Sequence, residues 1–196
     1  MNYLAHAYLS FHNPDWLTGN LISDFVKGKR KFDYPAAVQQ GITLHRAIDD
    51  FTDSHPLHKA AREVFRPVYR LYSGAFIDVV FDHFLANDPT AFPSELSLES
   101  FTAFAYQSLQ DNYPLLPPQF QGMFERMRQQ NWLFHYRFRS GMERSFGGLV
   151  YRSKYLTESE SAFKLFEENY TILQAAYNGF FPSLFTYAES FSRQLI

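Results

Sequence analysis

The sequence predicts an all-α protein, a single helical domain of about eight or nine helices. Apolar residues recur at helical spacing along most of the 196-residue chain, and proline and glycine residues separate the periodic segments. The sequence contains no alternating strand pattern of useful length. A chain of this length can bury one continuous core, so we expect one domain that spans residues 1–196.

The composition argues against several classes of protein. A formal net charge of −2 does not suit a protein built mainly to bind nucleic acid. Cysteine is absent, which rules out disulfides and thiolate metal sites and leaves His, Asp and Glu as metal ligands. The first residues lack a basic leader, and no apolar run approaches the roughly 18 residues of a membrane span. We therefore expect a soluble cytoplasmic protein with no membrane partner.

Six helices are predicted in the first part of the chain. Gly28 is expected to stop the second, and the third should end before Pro56 because the residue that precedes a proline disfavours helical backbone. The fifth is apolar nearly all round, so we expect it to be buried. In chain order, the six helices begin near the cap Asn2, Asp15, Pro35, Leu57, Ala75 and the cap Ser97.

The remaining helices are predicted from their breakers and caps. Several prolines separate the sixth helix from a seventh, which carries methionines and an aromatic cluster. Thr157 and Glu160 have the spacing of a capping box and open a long helix that runs to about Asn178. Gly179 is expected to end that helix, and Pro182 to start the last one.

The third predicted helix carries an unusual polar stripe. His45, Asp49 and Asp53 follow one another at i, i+4 spacing, so their side chains lie along one side of the helix. Apolar neighbours flank this stripe, which indicates partial burial, and buried His and Asp side chains need partners. Asp53 lies close to the helix end, where a capping role is the simpler interpretation.

Other helices of the first half also carry His and Asp side chains beside apolar neighbours. Helical bundles build metal sites from such facing side chains, and these residue types suit Mn²⁺, Fe²⁺ or Mg²⁺. A bound divalent ion would support hydrolysis of a phosphate ester. The bland alternative is that each His is a hydrogen-bonded core residue and each Asp a cap. The side chains concerned are His6, Asp24, Asp78, Asp82 and His83.

Two groups of basic residues follow the helices that carry these side chains. The first group surrounds Gly28, and the second has its members spaced four apart, with little acid between them. For the second group, a solvated face is the simpler interpretation of the spacing alone, and only the absence of matching acids favours a binding surface. The members are Lys27, Lys29, Arg30 and Lys31 in the first group, and Arg62, Arg66 and Arg70 in the second.

Four motifs in the first half resemble the acyl-carrier-protein phosphodiesterase family. The resemblance implies a helical relative of the HD-type metal phosphohydrolases. Such an enzyme removes 4′-phosphopantetheine from holo-acyl carrier protein, with Mn²⁺ or, alternatively, Mg²⁺ or Fe²⁺. The motifs are Asn2-Tyr-Leu-Ala-His6, Gly19-Asn20-Leu-Ile-Ser-Asp24, the segment from Gly41 to Asp53, and Asp82-His83-Phe-Leu after Asp78.

The resemblance also implies roles for single residues. Asp24, His45 and Asp82 resemble metal ligands, with His6 as a further ligand. Asp49 and His83 would complete or orient the shell. As a mechanism, we expect Asp49 or His83 to assist proton transfer, and Arg46 to stabilise phosphate charge or pair with an Asp. The adjacent pair Asp82-His83 reverses the usual His-Asp doublet of HD proteins, so ligand roles do not transfer by order alone. The two basic groups would bind the acidic carrier protein.

Two other functions are compatible with the same residues. One is a metal phosphohydrolase of nucleotides or another small phosphodiester, which would turn over substrates without any carrier protein. The other is a binding protein without catalytic activity, in which the His and Asp side chains form a buried structural network.

Overall fold

The computed structural model describes residues 1–195. Within this range it has twelve α-helices, four short 3-10 helices and no strand, which confirms the predicted all-α class. The first six α-helices are α1 (Tyr3–Tyr8), α2 (Pro14–Ile22), α3 (Ala36–Ser54), α4 (Pro56–Arg62), α5 (Arg66–Tyr69) and α6 (Ser73–Ala86). The others are α7 (Glu95–Asp111), α8 (Pro118–Gln129), α9 (Trp132–His135), α10 (Arg139–Arg152), α11 (Glu160–Glu168) and α12 (Tyr170–Ser192).

Helices α2 and α3 form the most extensive helix pair of the fold. A Cβ at Gly41 would overlap the carbonyl oxygen of Trp16, and a Cβ at Gly19 would overlap that of Val38. The two backbones are therefore in contact, which only glycine permits at these positions. This close approach places the side chains after Gly19 on α2 directly against those that follow Gly41 on α3.

The short helix α1 is held at its N-terminus by a side chain from α6. The carboxylate of Asp82 accepts hydrogen bonds from the backbone N–H groups of Leu4, at 2.8 Å, and Ala5, at 3.0 Å. These groups lack partners inside a helix, and a negative charge there also interacts well with the helix dipole. Asn2, the predicted cap, makes no capping hydrogen bond. Asp82 therefore fixes the position of α1 from a distant part of the sequence.

The fourth predicted helix is broken into shorter pieces. α4 ends at Arg62, α5 covers four residues, and a 3-10 helix occupies Arg70–Tyr72. Arg70 has a φ of 47°, in the left-handed region. The three arginines of the predicted stripe therefore do not share one continuous helix.

The predicted helix break after Asn178 is wrong. α12 runs without interruption through Gly179 and Pro182. A Cβ at Gly179 would lie 2.7 Å from Leu57 Cδ1, so this glycine permits close packing of α12 on α4 and does not end a helix. The buried stripe that includes Leu173, Phe180 and Leu184 offsets the hydrogen bond lost at the proline.

The aromatic residues supply much of the core. Phe65 and Phe76 stack, and Phe146 packs against both at a tilt. Phe81 and Phe180 form a second group with neighbouring rings. All five are fully buried. No helix within residues 1–195 is long and apolar enough to cross a membrane.

Candidate metal centre

Three predicted side chains meet where α1 and α3 face each other. Nε2 of His6 lies 3.2 Å from Oδ1 of Asp49, and Nε2 of His45 lies 3.0 Å from Oδ2 of the same carboxylate. The ligand atoms of all three residues lie within 4.8 Å of one another. His6 and His45 are buried, and the two rings stack with centroids 4.1 Å apart. The arrangement could hold a divalent metal ion.

Asn20 on α2 sets the orientation of both histidines. Its Nδ2 donates to the carbonyl oxygen of His6 and to Ser10 Oγ, so its Oδ1 must face the two rings. That oxygen lies 2.7 Å from Nδ1 of His6 and 3.2 Å from Nδ1 of His45. Because an amide oxygen only accepts hydrogen bonds, both Nδ1 atoms carry a proton. Both Nε2 atoms therefore point towards Asp49.

The two Nε2 atoms are buried and unsatisfied. Carboxylate oxygens lie near them, but neither has a hydrogen-bond partner of acceptable geometry in the described part of the chain. A neutral histidine protonated on Nδ1 presents a lone pair at Nε2, and a lone pair facing a carboxylate is repulsive. The arrangement requires a cation between these atoms, either protons or a metal ion.

The local field around Asp49 also favours a cation. Burial alone would lower the pKa of His45, but Asp24 and Asp49 outweigh it and raise this pKa to about 9. Burial and the neighbouring His45 lower the pKa of His6. Burial opposes ionisation of Asp49, yet the two imidazoles hold the pKa of its carboxyl well below the usual range. Asp49 is therefore ionised at neutral pH.

A groove of about 340 Å³ opens beside His45 and Asp49 of the cluster. Asp24 lies on its edge, with Oδ1 at 3.4 Å from Nε2 of His45 and 73% of its side chain exposed. The neighbouring His45 imidazole lowers the pKa of Asp24. Arg46 lines the same groove, and its guanidinium donates to the carbonyl oxygen of Val26.

The structure places Asp82 and His83 differently from the prediction. The oxygens of Asp82 cap α1, and burial raises the pKa of its carboxyl to about 7. His83 donates from Nδ1 to the carbonyl oxygen of Tyr136, and its Nε2 lies 3.0 Å from the Tyr170 hydroxyl. Burial lowers the pKa of His83 to about 4, so the ring is neutral. Neither residue belongs to the clustered donors, because their polar atoms are used elsewhere.

Asp78 also lies outside the cluster. Its Oδ1 lies 3.0 Å from Nε2 of His58 and 3.3 Å from the amino nitrogen of Met1. That nitrogen in turn lies 3.6 Å from Oδ1 of Asp49. Asp78 and His58 therefore form a neighbouring hydrogen-bonded pair between α6 and α4.

The two basic groups line different grooves. Lys27 lines the groove of the clustered residues, and the 3-10 helix Gly28–Asp33 carries the rest of its group on the surface. Phe32, in the middle of that helix, is 67% exposed. The second group lines a separate groove of about 710 Å³, where Arg62 donates to Ser73 and Arg66 pairs with Glu63.

Asn20 is the site residue that the sequence analysis did not assign. It lies four residues before Asp24 on the same helical stripe, and it forms part of a quoted motif. A buried amide at that spacing was the available signal. Its role depends on the contact between α2 and α3, which only the three-dimensional structure reveals.

Comparison with known proteins identifies one family. Residues 1–184 match the family described as acyl carrier protein phosphodiesterase. The chain is 33% identical to the acyl carrier protein phosphodiesterase of Klebsiella pneumoniae subsp. pneumoniae over 190 residues, which covers 97% of this chain and 98% of the relative. It is 34% identical to the Serratia proteamaculans protein of the same name over 189 residues, or 96% and 98% of the two chains. No solved structure matches the chain significantly.

Proposed function

The chain belongs to the acyl carrier protein phosphodiesterase family, and we propose that His6, His45 and Asp49 hold the divalent metal ion with which it removes 4′-phosphopantetheine from holo-acyl carrier protein. The reaction is a phosphodiester hydrolysis. Water supplies the oxygen that joins phosphorus, the bond from phosphorus to the carrier-protein serine breaks, and the serine oxygen leaves with a proton.

The observation that carries the proposal is that the Nε2 atoms of His6 and His45 are unsatisfied and both point towards Asp49. A single proton on His45 would satisfy one of them and leave the lone pair of neutral His6 against the carboxylate, 3.2 Å away. His6, His45 and Asp49 would together hold a divalent ion, which would leave neither nitrogen unsatisfied. The hydrogen bonds from the two Nδ1 atoms to Asn20 are the outer-shell contacts that metal-bound histidines commonly have.

The donor set bears on which ion is bound. Two imidazole nitrogens and a carboxylate, with open positions for water and substrate, suit Mn²⁺ or Fe²⁺. Mg²⁺ prefers oxygen ligands, and so it fits this pair of histidines less well. We therefore favour Mn²⁺ and retain Fe²⁺ and Mg²⁺ as alternatives for the test below.

The groove residues would perform the remaining steps. The metal ion, when bound, supplies charge for the phosphoryl oxygens and lowers the pKa of water. Arg46 and Lys27 line the groove and would offset the remaining phosphate charge. Asp24 would complete the donor set through Oδ1, beside His45, and its other oxygen would take the proton of the attacking water. That proton then goes to the serine oxygen as the ester bond breaks.

The carrier protein would dock on the basic rim of this groove, which is the name we give to the first basic group, Lys27, Lys29, Arg30 and Lys31. Lys27 belongs to both the rim and the groove, and so a partner on the rim lies next to the clustered residues. Acidic carrier proteins complement such a surface, and the exposed ring of Phe32 offers an apolar contact among the charges. The full set proposed for docking is Lys27, Lys29, Arg30 and Lys31, with Arg62, Arg66 and Arg70 as a second contact.

The test measures the intact mass of holo-acyl carrier protein after incubation with the protein, with Mn²⁺ and separately with a chelator. Metal-dependent conversion to the apo mass is the expected result. His45→Ala and Asp49→Ala should lose bound metal and activity and keep their helical content, whereas the exposed His12→Ala serves as a matched control that keeps both.

Two results would contradict the proposal in different ways. Full activity in His45→Ala would contradict the assignment of His45 as a metal ligand. Metal-dependent hydrolysis of bis(p-nitrophenyl) phosphate without conversion of any carrier protein would favour the small-diester phosphohydrolase.

A further inference from the structure

A cleft lies between α1, which carries His6 of the candidate metal centre, and the helices α8, α9 and α10. Its open part has a volume of about 510 Å³ and includes Phe25, the residue after Asp24. Its inner part is a more enclosed chamber of about 140 Å³ that reaches Val79 and Tyr136. The two parts share five lining residues and therefore form one continuous space. The shared residues are Tyr3, Gln130, Trp132, Gly148 and Arg152.

Tyr3 lines the cleft from the helix that carries His6 of the candidate metal centre. It lies one turn before His6 on α1, and its hydroxyl donates to Met123 Sδ at 3.2 Å. Burial raises the pKa of Tyr3 to about 12, and the charges of Arg152 and Asp24 also act on this hydroxyl. Tyr3 therefore lines the cleft together with Arg152 and lies on the same helix as His6.

The walls of the cleft combine apolar rings with hydrogen-bond donors. Trp132 donates its indole N–H to Oε1 of Gln130, so the Gln130 amide nitrogen can still donate to a ligand. Arg152 lies 6.0 Å from the Trp132 ring and has no ion pair within residues 1–195. The lining residues of both parts include no acidic side chain. The cleft therefore suits a ligand with apolar segments and carbonyl acceptors.

We propose that this cleft binds the pantetheine arm of the substrate, with the phosphate end at the metal centre and the thiol end in the inner chamber. This inference rests on the proposed function. The arm has a gem-dimethyl group, which would pack on the rings of Tyr3 and Trp132. It also has amide carbonyls, which Gln130 and Arg152 are placed to bind. Binding of this non-reacting part would orient the phosphodiester over the clustered residues.

A larger side chain at Gly148 would fill the cleft without removing any polar side chain. It lies on α10 where the two parts of the cleft meet, and an added Cβ would contact only Arg152 Nη1, at 3.6 Å. Gly148→Ala should leave the cleft open, whereas Gly148→Leu should fill it. Ala175→Leu, on the exposed surface of α12, controls for an added leucine and should leave both activities as they are.

The first experiment compares two substrates in these variants, holo-acyl carrier protein and bis(p-nitrophenyl) phosphate, which has no pantetheine arm. In Gly148→Leu, kcat/KM for the carrier protein should fall about ten-fold relative to that for the diester, and in Gly148→Ala by less than about two-fold. Circular dichroism checks that each variant is folded. An unchanged ratio in folded Gly148→Leu would overturn the assignment of the cleft.

The second experiment measures binding without turnover. 4′-Phosphopantetheine should change the fluorescence of Trp132, one of two tryptophans in the chain. The change should be absent in Trp132→Phe, weakened in Gly148→Leu and not reproduced by inorganic phosphate. No response in the natural sequence would overturn the cleft assignment, whatever the carrier-protein turnover. A normal response without carrier-protein turnover would overturn the proposed function alone.

Discussion

The rings of His6 and His45 stack at 19° to each other and share one hydrogen-bond acceptor, Oδ1 of Asn20. The two histidines come from different helices, and the amide comes from a third, α2. A single buried side chain therefore fixes the tautomer and the direction of both imidazoles. Metal binding at the proposed site would therefore depend on this contact as well as on the histidines themselves.

Replacement of Asn20 by alanine should weaken metal binding and leave the fold in place. Without the shared acceptor, each imidazole can rotate or change tautomer, so Mn²⁺ affinity should fall about 10- to 100-fold. Isothermal titration calorimetry with Mn²⁺ measures the loss, and activity should fall with it. Ser10→Ala is the matched control, because it removes a partner of Asn20 without touching the rings. Unchanged Mn²⁺ affinity in Asn20→Ala would show that Asn20 does not hold the ligands.

Gly41→Ala should both destabilise the protein and disturb the site. The added methyl group would overlap the backbone of Trp16 and force α2 away from α3. We expect a loss of about 1–3 kcal/mol in the free energy of unfolding, together with weaker Mn²⁺ binding, because Asn20 moves with α2. Urea unfolding and calorimetry measure the two effects.

Gly122→Ala is the control for the previous change, since a Cβ there has no neighbour within 4 Å. That exposed helical position should gain up to about 1 kcal/mol, because alanine favours the helix. If Gly41→Ala proved as stable as Gly122→Ala, the close approach of α2 and α3 would not be the constraint that the structure indicates.

Local patterns predicted α3 well and the C-terminal helix badly. The i, i+4 spacing of His45 and Asp49 is a property of one helix, and so their proximity could be predicted from the sequence. Gly179 and Pro182 have equally strong local preferences, but burial of the apolar side of α12 outweighs them. Tertiary packing therefore determines that α12 is continuous, and a local sequence pattern does not reveal such packing.

The role of each site residue depends on contacts between segments that are distant in the sequence. The family resemblance implied that Asp82 is a metal ligand, yet its carboxylate caps a helix 77 residues away in the sequence. Asn20 has its role only because Gly19 and Gly41 bring two helices into contact. The donor types could be predicted from one sequence, whereas the role of each donor required the packing of α1, α2, α3 and α6.

Asp82 should make the stability of the protein depend on pH. Burial raises the pKa of its carboxyl from 3.8 to about 7 in the folded state. The folded state therefore binds this proton more tightly than the unfolded state does, and the stability gained is fully present below pH 3.8 and lost as the pH rises through about 7. We expect Asp82→Asn to lose a hydrogen bond at every pH and to lack this dependence.

The measurement for Asp82 is urea unfolding of both proteins between pH 5 and 8, with a chelator present throughout. The free energy of unfolding of the natural sequence, minus that of Asp82→Asn, should be largest at pH 5 and should decrease towards pH 8. A constant difference over this range would mean that the carboxyl of Asp82 does not take up a proton on folding.

Charge reversal on the rim should weaken recognition of the carrier protein more than the chemistry itself. In Lys29→Glu/Arg30→Glu, kcat/KM for holo-acyl carrier protein should fall about ten-fold or more relative to that for bis(p-nitrophenyl) phosphate, because steering of an acidic partner is lost. The dependence of carrier-protein turnover on salt should also become weaker, since exposed charges act through a screened field.

Phe32→Ala tests the apolar contact on the same rim. Because Phe32 is 67% exposed, its removal should cost no stability, and any loss of carrier-protein turnover would come from docking. We expect a rise in KM of about five- to ten-fold with little change in kcat, as for loss of one interface contact of about 1 kcal/mol.

The charge reversal at Lys29 and Arg30 has its own control in Lys164→Glu, which reverses a charge on α11, outside the rim. An equal loss on both substrates in the rim variants would place the effect in the catalytic groove and argue against docking there.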